Sequence, residues 1–133
     1  MEDRYLFRAK RIDTGEWIIG SLLVDKQQDI ETGEQIEIIG IYPSEYKDFA
    51  KKVDPSTVCQ CTGLKDKNGK LIWENDIVKI NNSKVNTVIT FRDFEIICTI
   101  PNEKYYKHRL EYDTEYEVIG NKFDNPELLE SEE

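Results

Sequence analysis

Apolar and polar residues alternate with a period of two over most of the chain, which is the pattern of β-strands with one buried face. Residues 5–10 alternate in this way, and residues 85–91 and 94–100 repeat the pattern. Turn residues separate the alternating stretches at intervals of roughly 8–12 residues. The pattern therefore predicts a mainly β chain of roughly eight to ten short strands, arranged as a small antiparallel barrel or sheet.

Glycine-containing turns mark the ends of several predicted strands. Residues 13–16 and 31–34 share the sequence Thr-Gly-Glu, and each turn is followed by a stretch that ends Ile-Ile-Gly. Glycine permits the positive φ that a tight hairpin needs. We interpret the likeness as repeated hairpin chemistry rather than gene duplication. The pair Asn68-Gly69 is the strongest hairpin signal in the chain.

Two segments depart from the period of two and predict helices. Over residues 44–55, Ser44 can cap a helix whose apolar positions have the spacing i, i+3, i+4 and i+7. Those apolar residues are Tyr46, Phe49, Ala50 and Val53. Asp54-Pro55 would end this helix. Near the other end of the chain, Asn125 as a cap and Pro126 at the first helical position predict a short terminal helix.

The predicted elements divide the chain into three parts. Residues 1–43 form an N-terminal β-hairpin region, residues 44–55 a linking helix, and residues 56–133 a C-terminal β-barrel domain that includes the short terminal helix. A chain of 133 residues suits one domain or two small β subdomains.

Charge and composition limit the partners and the compartment. The chain has 18 basic and 27 acidic residues, a net charge of -9, which disfavours a nucleic-acid phosphate backbone as partner. No apolar run approaches the roughly 18–20 residues of a membrane span, and the first residues do not resemble a secretory signal. Three cysteines, an odd number, favour reduced thiols. We expect a cytoplasmic protein.

The sequence offers few candidates for catalysis or metal binding. Cys59, Cys61, Cys98 and His108 could in principle bind zinc, but their spacing does not fit a zinc knuckle, and Cys98 lies between apolar neighbours as a core residue would. A cysteine nucleophile paired with His108 lacks any triad signature. We expect no catalytic residue, cofactor or metal site.

Acidic and basic clusters have structural interpretations as well as functional ones. Glu74 and Asp76 could act as an acid/base pair or bind Mg²⁺, but Asp is a standard turn residue and a turn is favoured. Lysines 65, 67 and 70 lie close to Trp73 and could hold single-stranded nucleic acid, although nearby carboxylates offset their charge. Tyrosines could form a partner surface or cross-strand pairs, namely Tyr105, Tyr106, Tyr112 and Tyr116.

Two blocks of sequence resemble the YopX family, whose members are encoded largely by phages and prophages. The first is TGLKDKNGKLIWENDIV, residues 62–78, and the second is EVIGNKFDNPELL, residues 117–129. The opening YLFRAKRIDTGEW is also similar to the family. Asn75 stands where the family usually has glycine, and Asn is the next-best residue for a left-handed turn. Cys61 stands where the family more often has an aromatic residue, which favours packing over metal binding.

The resemblance implies a fold more than an activity. It implies a C-terminal part similar to small SH3-like barrels, and it transfers no catalytic residue. We assign these residues to turns and core packing: Thr62, Gly63, Leu64, Asp66, Asn68, Gly69, Trp73, Asn75, Asp76, Ile77, Val78, Gly120, Asn121, Asn125 and Pro126. We expect a phage or prophage accessory protein in the bacterial cytoplasm, non-enzymatic, that binds a protein partner or self-assembles. The alternative is a nucleic-acid-associated module that uses the Lys65–Lys70 loop.

Overall fold

Antiparallel strands make up most of the regular structure in a computed structural model that describes residues 5–43 and 49–130. In chain order they are β1 (Phe7–Lys10), β2 (Trp17–Gln28), β3 (Gln35–Pro43), β4 (Lys51–Lys52), β5 (Cys59–Lys65), β6 (Leu71–Trp73), β7 (Asp76–Ile80), β8 (Thr87–Arg92), β9 (Glu95–Thr99), β10 (His108–Arg109) and β11 (Tyr116–Asn121). The prediction of a mainly β chain is confirmed. The chain forms two compact units, Tyr5–Gln60 and a second that continues from Cys61, so the boundary falls inside β5.

The N-terminal unit is one antiparallel sheet with a small core. Its strand order is β4-β3-β2-β1-β5, and Cys59 and Gln60 of β5 pair with β1. The core consists of Ala9, Ile41 and Val53, all of them 0–1% exposed. A core of three buried side chains covers only part of the sheet, which leaves the far ends of β2 and β3 outside it.

The two Thr-Gly-Glu turns have the same backbone construction. In each turn the glycine has a φ of 75° and its N–H donates to the carbonyl four residues earlier, at 2.9 Å for Gly15 and 2.8 Å for Gly33. In each turn the threonine hydroxyl accepts from the following glutamate N–H at 3.2 Å. One turn joins β1 to β2 and the other joins β2 to β3, which confirms the predicted hairpin chemistry.

The C-terminal unit combines a hairpin with a five-stranded sheet. The hairpin is formed by β5 and β6, and the sheet has the order β10-β9-β8-β7-β11. Its core is a cluster of buried side chains from both parts: Ile72, Val78, Ile89, Cys98 and Tyr116. Cys98 is 0% exposed in this cluster, as its apolar neighbours in the sequence predicted.

The predicted closed, SH3-like barrel is wrong, because the sheet is open. Its end strands β10 and β11 do not pair with each other in the part of the chain that the structure describes. The outer edge of β11 bonds instead to the turn after β5, where the N–H of Lys67 donates to the carbonyl of Tyr116 at 2.8 Å. Alternation along a strand shows which face is buried, but it does not show which edges pair.

Both predicted helices are also absent from the residues described. Lys51–Lys52 form β4 on the edge of β3, Val53 bridges to Arg11, and Asp54 is extended, so the chain is extended from Lys51 to the short 3-10 helix Pro55–Thr57. Residues 44–48, where the predicted linking helix begins, lie outside the described residues. The spacing of the apolar residues was misleading because Val53 joins the sheet core, and tertiary packing overrides a short local pattern.

The terminal helix is replaced by a 3-10 helix, Pro126–Leu129. Proline does occupy its start, as predicted. The side chain of Asn125 makes no cap bond to the helix, however, and its Oδ1 accepts instead from the N–H of Asn121 at 3.2 Å. Asn125 therefore connects the start of the 3-10 helix to the end of β11 through this hydrogen bond.

Candidate interaction surfaces

Asp66 organises the turn between β5 and β6, residues 66–70, which we call the Asp66 turn. Its side chain is 6% exposed, and one carboxylate oxygen accepts from the N–H groups of Asn68 and Lys70, both at 2.9 Å. The other oxygen accepts from the N–H of Val118 in β11, also at 2.9 Å. Burial raises the pKa of Asp66, but these three N–H donors outweigh it, so the pKa lies below its usual value. The carboxylate thus joins a local turn to a distant strand.

Glycine and threonine shape the rest of that hairpin. Gly69 has a φ of 82°, and its N–H donates to the carbonyl of Asp66 at 3.0 Å, which closes a tight turn with a left-handed residue at its end. The hydroxyl of Thr62 donates to the carbonyl of Ile72 at 2.7 Å and accepts from the N–H of Leu64 at 3.1 Å. Gly63 has a φ of 83° where the β5–β6 register is irregular. These residues set backbone geometry.

Asn75 and Asp76 form the next turn. Asn75 has a φ of 72°, the left-handed conformation that the sequence predicted. Asp76 is 2% exposed, and its carboxylate accepts from the N–H of Trp73 at 2.9 Å. The favoured interpretation of Asp76 as a turn residue therefore agrees with its geometry. Glu74 is only partly buried beside it.

The second sequence block forms a compact hydrogen-bonded turn at the end of β11, residues 120–125, which we call the lock. Asn121 is 9% exposed, and its Oδ1 accepts from the N–H groups of Phe123 and Asp124 at 3.0 and 2.9 Å. A Cβ on Gly120 would lie 2.5 Å from Oδ1 of Asn125. A side chain at position 120 would displace the Asn125 side chain, whose Oδ1 accepts from the N–H of Asn121.

The remaining residues of the first block fill the core. Ile77 and Val78 are 0% exposed and Trp73 is 4% exposed, while Leu64 packs partly buried against the same cluster. The fifteen residues singled out from the sequence thus lie in turns, strands and core, and none of them presents a reactive group in an open cleft together with a second one.

The structure brings Cys98 and His108 together, which the sequence did not predict. They are directly opposite each other in the β9–β10 register, and Nε2 of His108 lies 3.1 Å from the hydroxyl of Tyr116. The Tyr116 hydroxyl also accepts from the N–H of Glu111 at 2.9 Å. Burial raises the pKa of the Cys98 thiol to about 11, so at neutral pH it is protonated and a poor nucleophile. His108 of β10 and Tyr116 of β11 are therefore in contact through their side chains, although the two strands do not pair within the described residues.

The other cysteines are equally buried. Cys59 and Cys61 are 0% and 1% exposed, and none of the three cysteines forms a disulfide. Among residues 5–43 and 49–130, no three His, Cys, Asp or Glu side chains are grouped so that they could hold a metal ion.

The lysine loop is partly neutralised. Lys65 and Lys70 are exposed, but Nζ of Lys67 lies 3.7 Å from a carboxylate oxygen of Glu117. The buried Asp66 carboxylate sits within the same turn. The loop therefore presents less net positive charge than the count of its lysines suggests.

The clearest exposed apolar surface of the N-terminal unit is the outer part of the β2–β3 hairpin, residues 21–42, which we call the ribbon. Its strands pair continuously from Ser21 with Tyr42 to Gln28 with Gln35, while β1 pairs with β2 only as far as Gly20. Leu23 is 41% exposed and Val24 is 50% exposed. Neighbouring residues point to opposite faces of a strand, so both faces are open to solvent in the outer part of the ribbon, beyond the buried Ile41.

The C-terminal unit has a separate open cleft of about 460 Å³. Its apolar lining comes from Leu64, Ile96 and Leu110, and the exposed aromatic rings of Phe94 and Tyr112 stand at its edge. Thr62, Gly63, Glu95 and Arg109 complete the lining.

Sequence reasoning missed both surfaces except for one residue. The four tyrosines proposed as a partner surface separate, because Tyr116 is 2% exposed in the core while Tyr112 is 81% exposed at the cleft. The alternating pattern predicts Phe94 as part of a strand. The residues before it, Arg92-Asp93, are a turn signal, and that signal indicates the position of Phe94 at the tip of the β8–β9 hairpin. For the ribbon, the only signal was that polar residues occur on both faces of its strands.

Comparison with known proteins identifies the family of the chain. No helix in the described ranges is both long and apolar enough to cross a membrane. A search of curated proteins finds no match. The family model for the YopX protein matches residues 6–130, nearly the whole chain. The match includes both sequence blocks, the Asp66 turn and the lock around Asn121, and the chain therefore belongs to the YopX family.

Proposed function

We propose that this YopX-family chain is a non-enzymatic phage accessory protein that acts by binding another protein, and that the ribbon is its binding surface. The observation that carries the proposal is the exposure of large apolar side chains on both faces of the ribbon. Leu23, Val24 and Ile36 are 41–50% exposed, and Ile30 at the tip is 100% exposed. Such side chains gain most from being covered by a partner.

The backbone of the ribbon offers a second means of binding. Beyond Gly20, β2 pairs only with β3 among the described residues, so the opposite edge of β2 presents a row of backbone groups. An isolated two-stranded hairpin is marginally stable in water, and a further strand added at its edge would stabilise it. Edge addition is a common mode of protein recognition.

The charge of the ribbon indicates which partner would fit. Residues 21–42 carry five acidic side chains and one lysine. A second copy of the same ribbon would meet like charge, which is unfavourable across an interface. A partner surface with apolar side chains and a basic rim would match both features. The proposed partner is therefore a basic region of another protein.

Site-specific photo-crosslinking tests the ribbon directly. A photoreactive amino acid is placed at Val24 or at Ile36, and in a matched control at Ile12, which is 65% exposed in the preceding turn of the same unit. In the host cell we expect one discrete protein adduct from the ribbon positions and none from Ile12. Equal labelling from all three positions would contradict a specific ribbon interface.

The purified pair then provides a quantitative test. Ile36→Thr keeps a β-branched residue on the strand, and we expect it to weaken binding by about tenfold, as loss of an apolar anchor does. The triple variant Lys65→Glu, Lys67→Glu, Lys70→Glu should leave binding unchanged. If the triple variant abolishes binding, or if nuclease removes the partner, the nucleic-acid alternative replaces this proposal.

A further inference from the structure

Phe94 occupies a position that neither local conformation nor core packing explains. It ends the two-residue turn between β8 and β9, in which Asp93 has a φ of 50° and Phe94 a φ of 66°. Such turns favour glycine or asparagine, because a bulky side chain at positive φ is strained. The Phe94 ring is also fully exposed, so it gains nothing from the core of its own chain. An aromatic ring held at this cost points to a contact with something else.

The ring stands beside a cleft that could receive an apolar side chain. Leu64, Ile96 and Leu110 are partly buried and line the cleft, whose volume of about 460 Å³ is within the range of ligand sites. Tyr112 provides a second exposed ring. Two rings at the edge of an apolar cleft can cover a side chain inserted between them, and aromatic residues often anchor interfaces in this way.

The charges beside the cleft favour an acidic occupant. Glu95 bonds to two cations at once, Nζ of Lys107 at 2.7 Å and the guanidinium of Arg109 at 2.6 Å. These hydrogen bonds from Lys107 and Arg109 hold the pKa of Glu95 below its usual value, so it is ionised at neutral pH. Glu95 and Arg109 line the cleft and Lys107 bonds to Glu95 beside it, so this group of three side chains carries a net charge of +1, although the whole chain has a net charge of -9.

We propose that this cleft binds a short extended segment of a protein in which an apolar or aromatic side chain stands next to one or more carboxylates. The apolar side chain would lie against Leu64 and Ile96 under the ring of Phe94, and the carboxylate would bond to Arg109. The proposed site lies in the C-terminal unit and takes an acidic partner, whereas the ribbon is proposed to bind a basic one. It is therefore a second binding site, independent of the proposed function of the ribbon.

A random peptide display library, selected against the purified full chain, supplies the probe. We expect selected peptides to combine aromatic or leucine residues with Asp or Glu. A fluorescein-labelled synthetic copy of the strongest peptide is then titrated by fluorescence polarisation. Selection of basic peptides, or of none beyond those recovered with the Phe94→Gly variant, would overturn the proposal.

Phe94→Gly separates binding from folding. Glycine adopts the positive φ without strain, so the variant should melt at a temperature equal to or above that of the wild type while binding the peptide about tenfold more weakly. Tyr112→Ser provides a second test at an exposed position, should the first variant fold poorly. Unchanged peptide affinity in a folded Phe94→Gly or Tyr112→Ser variant would show that the rings are not part of the site.

Glu95→Gln gives the sharpest electrostatic test. It removes the carboxylate that competes for Lys107 and Arg109, so we expect several-fold tighter binding of the acidic peptide, while Arg109→Glu should weaken it. A control peptide with Lys in place of its acids should respond in the opposite direction. Ile36→Thr in the ribbon should change none of these affinities. A dimer of the chain that Phe94→Gly dissociates would assign the cleft to a second copy and overturn the proposal.

Discussion

Two hairpins in this protein have the same turn chemistry, but one turn is exposed to solvent and the other is bonded to a distant strand. In the ribbon turn, Oδ1 of Asp29 accepts from the N–H groups of Glu31 and Thr32 at 2.8 and 3.4 Å. In the Asp66 turn, Oδ1 of Asp66 does the same for Asn68 and Lys70. The Asp66 carboxylate, however, also holds Val118, which is 52 residues away in sequence.

That one additional bond ties the Asp66 turn to a distant strand, whereas the bonds of Asp29 stay within its own turn. In the Asp66 turn the Asp66 side chain is buried and bonds to β11, so this residue contributes to the stability of the C-terminal unit. The ribbon turn is exposed, and the side chains near it are left open to solvent. A surface that its own chain does not cover is available for binding, and its substitution should cost little stability.

The largest difference is expected between the two aspartates. Asp66→Ala leaves three backbone donors without their acceptor, one of them in the partly buried strand β11, and should lower the free energy of unfolding by about 3 kcal/mol. Asp29→Ala, at an exposed turn, should lower it by less than about 1 kcal/mol. Urea unfolding is followed by fluorescence, using Trp73 for the C-terminal unit and Trp17 for the N-terminal unit, each with the other tryptophan replaced by Phe. Equal losses would show that the bond to Val118 contributes little.

A smaller effect is expected at the lock that ends β11. Gly120→Ala places a methyl group 2.5 Å from Oδ1 of Asn125 and should cost about 1–3 kcal/mol through overpacking. Asn125→Ala alone should cost about 1 kcal/mol through the lost hydrogen bond to Asn121. In the double variant the clash is gone, so its loss should be smaller than the sum of the two single losses. Strict additivity in urea unfolding would contradict the contact.

Acid should weaken the C-terminal unit through Asp66. Its pKa in the folded state lies below that of the unfolded chain, so the stabilisation is complete above the ordinary Asp pKa of about 3.9 and is lost as pH falls through the folded value. The urea midpoint reported by Trp73 should therefore fall more steeply than in Asp66→Asn as the pH is lowered below about 4. Parallel pH profiles for the two proteins would show that other carboxylates are responsible.

The smallest change in stability is expected in the ribbon. Ile36→Thr, at a side chain that is 43% exposed, should change the free energy of unfolding by less than about 0.5 kcal/mol. Ile41→Thr lies on the same strand but is fully buried, and it should cost about 2 kcal/mol or more by placing a hydroxyl in the core. If the two variants unfold at the same urea concentration, the ribbon is packed in solution and is not the exposed surface proposed here.

Local chemistry could be predicted from the sequence with good accuracy. The period of two identified the strands, the Thr-Gly-Glu turns identified two hairpins, and Asn75 was correctly expected to be left-handed. These features depend on residues within a few positions of one another, because turn geometry follows from which side chains tolerate positive φ. Family membership was also evident from two short blocks of sequence.

The tertiary structure alone decided which edges pair and which faces are covered. The barrel prediction failed because the edge of β11 bonds to the Asp66 turn, and the linking helix failed because Val53 packs with Ala9 and Ile41. The same limit hid the candidate surfaces: Leu23 and Ile41 look alike in sequence, yet one is exposed and the other buried. The alternation of apolar and polar residues depends on each residue's own chemistry, whereas burial depends on partners tens of residues away. The fold class could therefore be predicted from the sequence, and the binding surfaces could not.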